Sequence, residues 1–330
     1  MLFSPLSIGP VTLSNRIVIS PMCQYSADDG SMNDWHLQHA MQMAMSGAGM
    51  FVVEATATER RGRITHHCVG LYSDQNENAM RQVLNAARSV ATNDLKFAIQ
   101  LGHAGRKASH HVPWQGGRAL SKEEDAWITS APSALPFTQG APIPKALDAD
   151  EMQNIKQNFV NAAKRAVRLG FSAIELHGAH GYLIHEFISP ISNQREDEFG
   201  GSLDNRLKFP LEIFDEVRQA APFSALSRED FDAVVEFVAT GGYALSSYER
   251  FRRLIAADDG YLSVASPRAA HAYRMNVGTI VEAQTLKVRV GKRSLGQVEE
   301  YFAQGLRPGD TFIFAGQLLT FIEIRDMSVI

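Results

Sequence analysis

The chain has 330 residues, 45% hydrophobic and 21% charged, the balance of a soluble globular protein with room for one large or two medium domains. Its formal net charge of −4 offers no chain-wide basic excess to draw it to nucleic acid or a membrane surface, and two cysteines, Cys23 and Cys68, are too few for a disulfide framework or a thiolate-rich metal site and fit a reducing cytoplasm. No apolar run approaches the ~20 residues of a membrane span, and the N-terminus, with Pro5 and Pro10 and no basic stretch before a long apolar one, does not read as a secretory signal.

The segment FSPLSIGPVTL predicts a small hairpin capping the bottom of a barrel. From residue 15 to about 220, short β-branched runs alternate with longer amphipathic ones, the grammar of βα units on a parallel sheet. Four buried strands are expected at Arg16–Ser20, Met50–Glu54, Phe97–Leu101 and Ala173–Leu176. Helices are expected at Trp35–Ser46, Asn76–Ala91, Asp150–Leu169, which opens at an acidic cap and ends at Gly170, and Leu203–Ala220. The insert Gly102–Ala149, rich in Pro, Ser and Gly, reads as an extended surface loop.

Beyond residue 220 the pattern changes. Ser227–Thr240 opens at a Ser-x-x-Asp box and reads as a helix, Gly241–Tyr243 as a turn and Leu245–Ile255 as a second helix. From Ala272 onward come short strand-like segments, TIVEA, KVRV, DTFIFAG and TFIEI, separated by GKRSLG and LRPGD turns, a spacing that suits a small antiparallel barrel.

In a parallel βα barrel the strand C-terminal ends build the site. The four ends carry Ser20, Pro21, Met22, Cys23 and Tyr25; Glu54, Ala55 and Thr56; Gln100, His103 and Arg106; and His177, His180 and Tyr182. Two histidines three apart, followed by a tyrosine, can aim two N–H donors at one developing oxyanion while the phenol delivers a proton. The same pair also suits satisfied polar core residues, and with His66, His67 and His103 the imidazoles suit a zinc site, although no H-E-x-x-H or Cys/His cluster accompanies them. Cys23 fits either a sulfur touching a bound ring or a small buried hydrophobe. Asn15, Arg16, Asp204, Asn205 and Arg206 read as capping and surface residues.

Taken together, LSNRIVISPMCQYS, VVEATAT, RGRIT, IQLGHAGRKA, AIELHGAHGYLIHEFISPISNQREDEFGGSLDNR and LEIFDEVR resemble the old yellow enzyme family, in its bacterial class of xenobiotic reductases and thermostable ene-reductases. The resemblance implies an α/β fold built as a (β/α)8 barrel that binds FMN, takes hydride from NADPH or NADH and reduces an α,β-unsaturated carbonyl or nitro compound. Carried over by motif, Pro21, Met22, Cys23, Ala55 and Gln100 would line the flavin and Cys23 would tune it. His177 and His180 would hold the substrate oxygen, Tyr182 would donate the proton, and Tyr25 would help close the substrate pocket.

The resemblance stops near residue 220, after four βα units, where that family continues into a fifth strand and phosphate-binding loops. Residues 221–330 resemble instead the winged-helix and β-barrel accessory region of ligase-associated DEAD/DEAH-box helicases, through SREDFDAVVEFVATGGYAL, YRMNVGTIVEA and EEYFAQGLRPGDTFIFAGQ. The expected organisation is a barrel half over 1–220 joined to an accessory-like module over 221–330, an apparent chimera. No Walker-type GxxxxGK[ST] precedes the module, so ATP-driven unwinding is excluded. Arg250, Arg252, Arg253, Lys287, Arg289, Lys292 and Arg293 could give weak, salt-dependent contact with nucleic acid, or form an ordinary solvated surface. Self-association through exposed sheet edges is a further possibility.

Overall fold

The computed structural model describes residues 2–92, 94–220, 254–256, 262–264, 285–291, 293–299, 306, 308–325 and 328–330. Two compact units emerge, Met1–Gly278 and Thr279–Ile330.

The first unit begins with the expected hairpin, β1 (Leu6–Ile8) against β2 (Val11–Leu13). Four parallel strands then pair in chain order: β3 (Val18–Ile19), β4 (Met50–Ala57), β5 (Lys96–Gly102) and, after the insert, β8 (Ala173–Leu176). Helices α1 (Asp34–Ala44), α2 (Asp74–Val90) and α3 (Ala149–Arg168) follow the first three strands, while α4 (Leu183–Ile188) and α5 (Leu203–Ala220) follow the fourth. Adjacent parallel strands in sequence order are what consecutive βα units produce.

Local chemistry fixes the helix ends. Asn33 accepts from the Trp35 amide at 3.1 Å, and Ser73 accepts from Asn76 at 3.1 Å. Asp148 and Glu151 form a reciprocal capping box at 2.9 and 3.2 Å. At the far end of α3, Gly170 takes a left-handed φ of 75°, and the Arg88 guanidinium donates to the Leu169 and Gly170 carbonyls.

Strand alternation sorts the core. Phe51, Val53, Phe97, Ile99 and Leu101 pack outward among helix residues such as Leu84, Phe159 and Ile213. Met50, Val52 and Ala98 point the other way and meet Leu13 of the hairpin, which plugs that face. A register irregularity between Val53 and Thr56 interrupts the alternation on β4. It leaves Glu54 beside His36 of α1, with its carboxylate accepting from the Gln24 amide at 3.0 Å.

The insert departs from the expected surface loop. It carries three 3-10 turns (Gly105–Lys107, Pro113–Gln115 and Lys122–Glu124) and a short parallel pair, β6 (Ser130–Ala131) with β7 (Lys145–Ala146), and it buries Val112, Leu120, Ala131 and Leu147. Its small and polar residues serve tight turns, while scattered apolar ones pack inward, a pattern composition alone reads as loop.

In the last third, Ser227–Thr240, the Gly241–Tyr243 turn and TIVEA lie outside the described residues, as do Arg250, Arg252, Arg253 and Lys292. The expected helix Leu245–Ile255 is corrected at its end: β9 (Leu254–Ala256) pairs antiparallel with β10 (Leu262–Val264). In the second unit, β11 (Thr285–Val290) and β12 (Arg293–Glu299) form a hairpin, so GKRSLG is mostly strand. Strands β13 (Thr311–Phe314) and β14 (Gln317–Thr320) form another hairpin, and β15 (Ile324–Arg325) pairs with β16 (Ser328–Val329). TFIEI is therefore split between β14 and β15. Because β16 returns parallel to β11, the described strands make a mixed four-stranded sheet plus a hairpin, in place of the expected all-antiparallel barrel. Alternation in a sequence reports neither partner nor direction.

Candidate active site

The ends of β4, β5 and β8 converge. His177, the first residue past β8, is buried and packs beneath Gly102, where an added Cβ would lie 3.3 Å from the His177 Cβ. The chain then turns through His180 and Gly181, both left-handed at φ 57° and 70°, and enters α4 at Tyr182. This turn brings three rings together edge-to-face. Centroids lie 5.0 Å apart for His177 and His180, 5.1 Å for His177 and Tyr182, and 6.4 Å for His180 and Tyr182. The His180 Nδ1 and His177 Nε2 atoms are 3.3 Å apart, a long shared-proton contact.

Burial, helped by His180, His185 and Lys107, lowers His177 to about 4, so its imidazole is neutral near pH 7. Burial likewise pushes the Tyr182 phenol well above its ordinary range, with Cys23 and Cys68 adding to the shift, so the phenol keeps its proton. Cys23 is raised for the same first reason, with the Ala55 backbone and the Tyr25 side chain acting against the shift. Tyr25, itself left-handed at φ 48°, stands edge-on to Trp114 with centroids 5.9 Å apart. Gln100 donates to Glu175 on β8 at 2.8 Å, two residues before His177.

Cys23, Tyr25, Ala55, His177, His180 and Tyr182 thus gather at one mouth, with Gln100 on the wall below. Pro21 is half-buried, and Met22 is 53% exposed and lines a cavity with His36 and His39 on the α1 side. The other strand-end candidates serve as supports. His103 donates from Nε2 to Glu59 at 2.8 Å and accepts the Gly105 amide on Nδ1, while Arg106 donates to Leu135 and Pro136 carbonyls of the insert. His66 reaches the Glu124 carbonyl and His67 the Ala27 carbonyl, so neither shares a ligand set with the His177 pair. Cys23 and Cys68 are both free thiols.

Two further residues of the mouth lie inside IQLGHAGRKA and AIELHGAHGYLIHEFISPISNQREDEFGGSLDNR but have no spacing signal of their own. Lys107 donates from Nζ to the His180 carbonyl at 2.9 Å and lies 5.3 Å from the Tyr182 ring centre and 4.5 Å from that of Phe137. Burial pulls its ammonium down to about 8, opposed by Glu186 and assisted by Arg106. Glu186, buried on α4, accepts the Arg106 amide at 2.9 Å and so ties the β5 loop to the helix that Tyr182 opens. In the second unit, Lys287 and Arg289 are exposed on β11, alternating with buried Leu286 and Val288, and Arg293 is exposed on β12.

Residues 1–292 match the model of a family described as NADH:flavin oxidoreductase / NADH oxidase. An NADH:flavin oxidoreductase of Gibberella zeae is 46% identical over 224 residues, 67% of this chain and 54% of that protein. An NADPH dehydrogenase of Geobacillus sp. (strain WCH70) is 38% identical over 97% of this chain and 91% of its own length. Among solved structures, morphinone reductase aligns with a TM-score of 0.58 at 29% identity, and an old yellow enzyme from Pichia sp. AKU4542 with 0.59 at 29%; each alignment covers 67% of this chain, and 59% and 56% of those chains. The chain therefore spans little more than half the length of several proteins it matches, while nearly all of it aligns with the Geobacillus protein.

Proposed function

The chain belongs to the NADH:flavin oxidoreductase / NADH oxidase family, and from that premise we propose that it binds FMN at the strand ends, takes reducing equivalents from NADPH or NADH, and reduces α,β-unsaturated carbonyl or nitro compounds. The single observation that carries the reading is the His177, His180 and Tyr182 cluster, with two imidazole nitrogens 3.3 Å apart beside a protonated phenol.

The wall suits the edge of a flat heteroaromatic ring. Ala55 adds little bulk, Gln100 offers an amide, and the protonated Cys23 thiol presents a soft, uncharged surface. Bound FMN would supply the two-electron carrier between nicotinamide and substrate. This chain's residues would do the rest. The His177–His180 contact occupies one N–H, whichever ring supplies it. A substrate oxygen entering there replaces that long bond and gains donors from both rings, withdrawing electron density from the conjugated double bond. Tyr182, held by burial in its acid form, protonates the carbon that becomes electron-rich. Tyr25 stands edge-on to the exposed Trp114 at the entrance.

We further propose that FMN is gripped at its ring and held loosely at its phosphate, because the sequence beyond residue 220 lacks the later strand-end loops that the resemblance calls for, although the family match runs on to residue 292. On this view residues 221–330 replace the phosphate loops by a module of other origin. The test is to add FMN to the purified full chain and titrate with phenol, whose phenolate mimics the substrate oxyanion. A long-wavelength charge-transfer band in the wild type that vanishes in the His177→Ala/His180→Ala variant supports the reading, and a band of equal strength in both refutes it.

A further inference from the structure

A cavity of about 160 Å³ lies away from the mouth, where the segment after β4 meets α3. Thr58, the residue after β4, forms one wall with Leu71 and Tyr72 from the loop before α2. The other wall is α3, whose Asn158, Asn161, Lys164, Arg165 and Arg168 follow one another at the spacing that shares a helix face. None of these residues borders the cavities on which His177 and Tyr182 open.

Charge here is out of balance. The Glu77 carboxylate pairs with Arg81 at 2.8 Å and with Arg165 and Arg168 at 2.7 Å, and Asp74 pairs with Arg165 at 2.6 Å. Three guanidiniums thus share two carboxylates. Lys164, exposed on the same face, has no ion pair or hydrogen bond among the described residues, so the group holds an excess of positive charge. Donors are also left over. Arg165 spends only Nη1 on its carboxylates, and Arg168 only Nε and Nη2. Asn161 accepts from Gln157 on Oδ1 at 3.1 Å, which leaves its Nδ2 to donate.

Thr58 is an independent sign of a ligand. It is 2% exposed, and its Oγ1 has no partner among the described residues, although a buried hydroxyl left unpaired is destabilising. We propose that this cavity binds a small tetrahedral oxyanion, phosphate either free or as the head of a phosphomonoester. The Thr58 hydroxyl donates to it from the buried side, and Lys164 with the spare arginine N–H groups from the exposed side, where charge-assisted bonds to phosphate are strong. The volume is several times the ~30 Å³ of a water molecule. It falls short of the ~300 Å³ at which pockets for drug-sized ligands begin, so the rest of a monoester stays in solvent. The inference goes beyond the flavin reading and does not depend on it.

The test titrates the purified full chain, without added FMN, with inorganic phosphate against chloride at matched ionic strength, reading phosphorus NMR line broadening and melting temperature. Saturable broadening and a melting temperature that rises with phosphate are expected. Lys164→Gln should weaken binding at least about tenfold. Thr58→Val should also weaken it, yet leave the phosphate-free melting temperature unchanged or higher, because it removes an unpaired buried hydroxyl. A residue with a purely structural role would not give that split. Glycerol phosphate that displaces phosphate assigns the site to monoesters, and glycerol phosphate that does not assigns it to the free ion. Binding that never saturates, wild-type affinity in both variants, or a lower phosphate-free melting temperature in Thr58→Val would overturn the proposal. Because the assay needs no flavin, failure here leaves the flavin reading standing, and an unchanged phenol band in the histidine variant leaves this site standing.

Discussion

Replacing Glu59 by Gln tests how the floor of the mouth is held. The Glu59 side chain is 14% exposed and accepts from His103 Nε2 at 2.8 Å, Arg61 Nε at 2.6 Å and Asn158 Nδ2 at 2.9 Å. Burial alone would raise its carboxyl, but the His103 bond and the Arg61 charge overcome that and hold it at about 2 instead of 4.5. At ~1.36 kcal/mol per unit, this depression corresponds to ~3 kcal/mol of native-state preference for the carboxylate. His103 accepts the Gly105 amide on Nδ1, so its ring is neutral and contributes a hydrogen bond without a full charge. That trims the expected loss in Glu59→Gln to ~2–3 kcal/mol, or a melting temperature lower by ~5–10 °C for a domain of this size. The sign is fixed by the depression: the wild-type advantage is complete above the unfolded value near 4.5 and disappears as pH falls toward 2. Urea unfolding of both proteins at pH 7 and pH 3 measures it. A deficit of the same size at both values would show that the carboxylate charge is not its source.

Tyr182→Phe should slow substrate reduction by ~10²–10⁴ while leaving nicotinamide-driven flavin reduction unchanged, and stopped-flow traces of the two half-reactions separate the effects. Equal slowing of both would remove Tyr182 from the proton-donor role. The His177 imidazole should titrate near pH 4 by NMR, well below a free histidine, and a midpoint near 6.5 would mean that the ring is solvated. Gly105→Ala should cost ~2–4 kcal/mol, because a Cβ at φ +60° would meet the Glu186 carboxylate at 2.3 Å. Gly116→Ala, at φ +91° in open space, should cost only the conformational ~1–2 kcal/mol, and near-equal urea midpoints for the two variants would contradict this packing.

The barrel strands and their helices were legible because their signals are local. The apolar run Ala173–Leu176 and the helix Leu203–Ala220 occur as read, and the other elements shift by a few residues at ends set by caps. The histidine pair and Tyr182 were legible for the same reason, since a strand end followed by a tight turn puts them within one ring's reach. What escaped depends on non-local partners. The irregularity on β4 that turns Glu54 toward α1 has no mark in MFVVEATA. His103 and Arg106 look like site residues until Glu59 and the insert carbonyls claim them. In the second unit, the return of β16 beside β11 is a choice of partner that alternating residues do not encode.

The left-handed turn at His180 constrains how this sequence can drift. Position 177 follows the strand without positive φ and needs a buried ring nitrogen, whereas position 180 needs a side chain that both hydrogen-bonds and tolerates φ 57°. Asparagine is the residue that most readily meets both demands, since its short amide stabilises left-handed backbone. Exchange between His and Asn at 180 is therefore the cheapest substitution open to the pair, and a β-branched residue there would be excluded by the backbone before chemistry was ever tested.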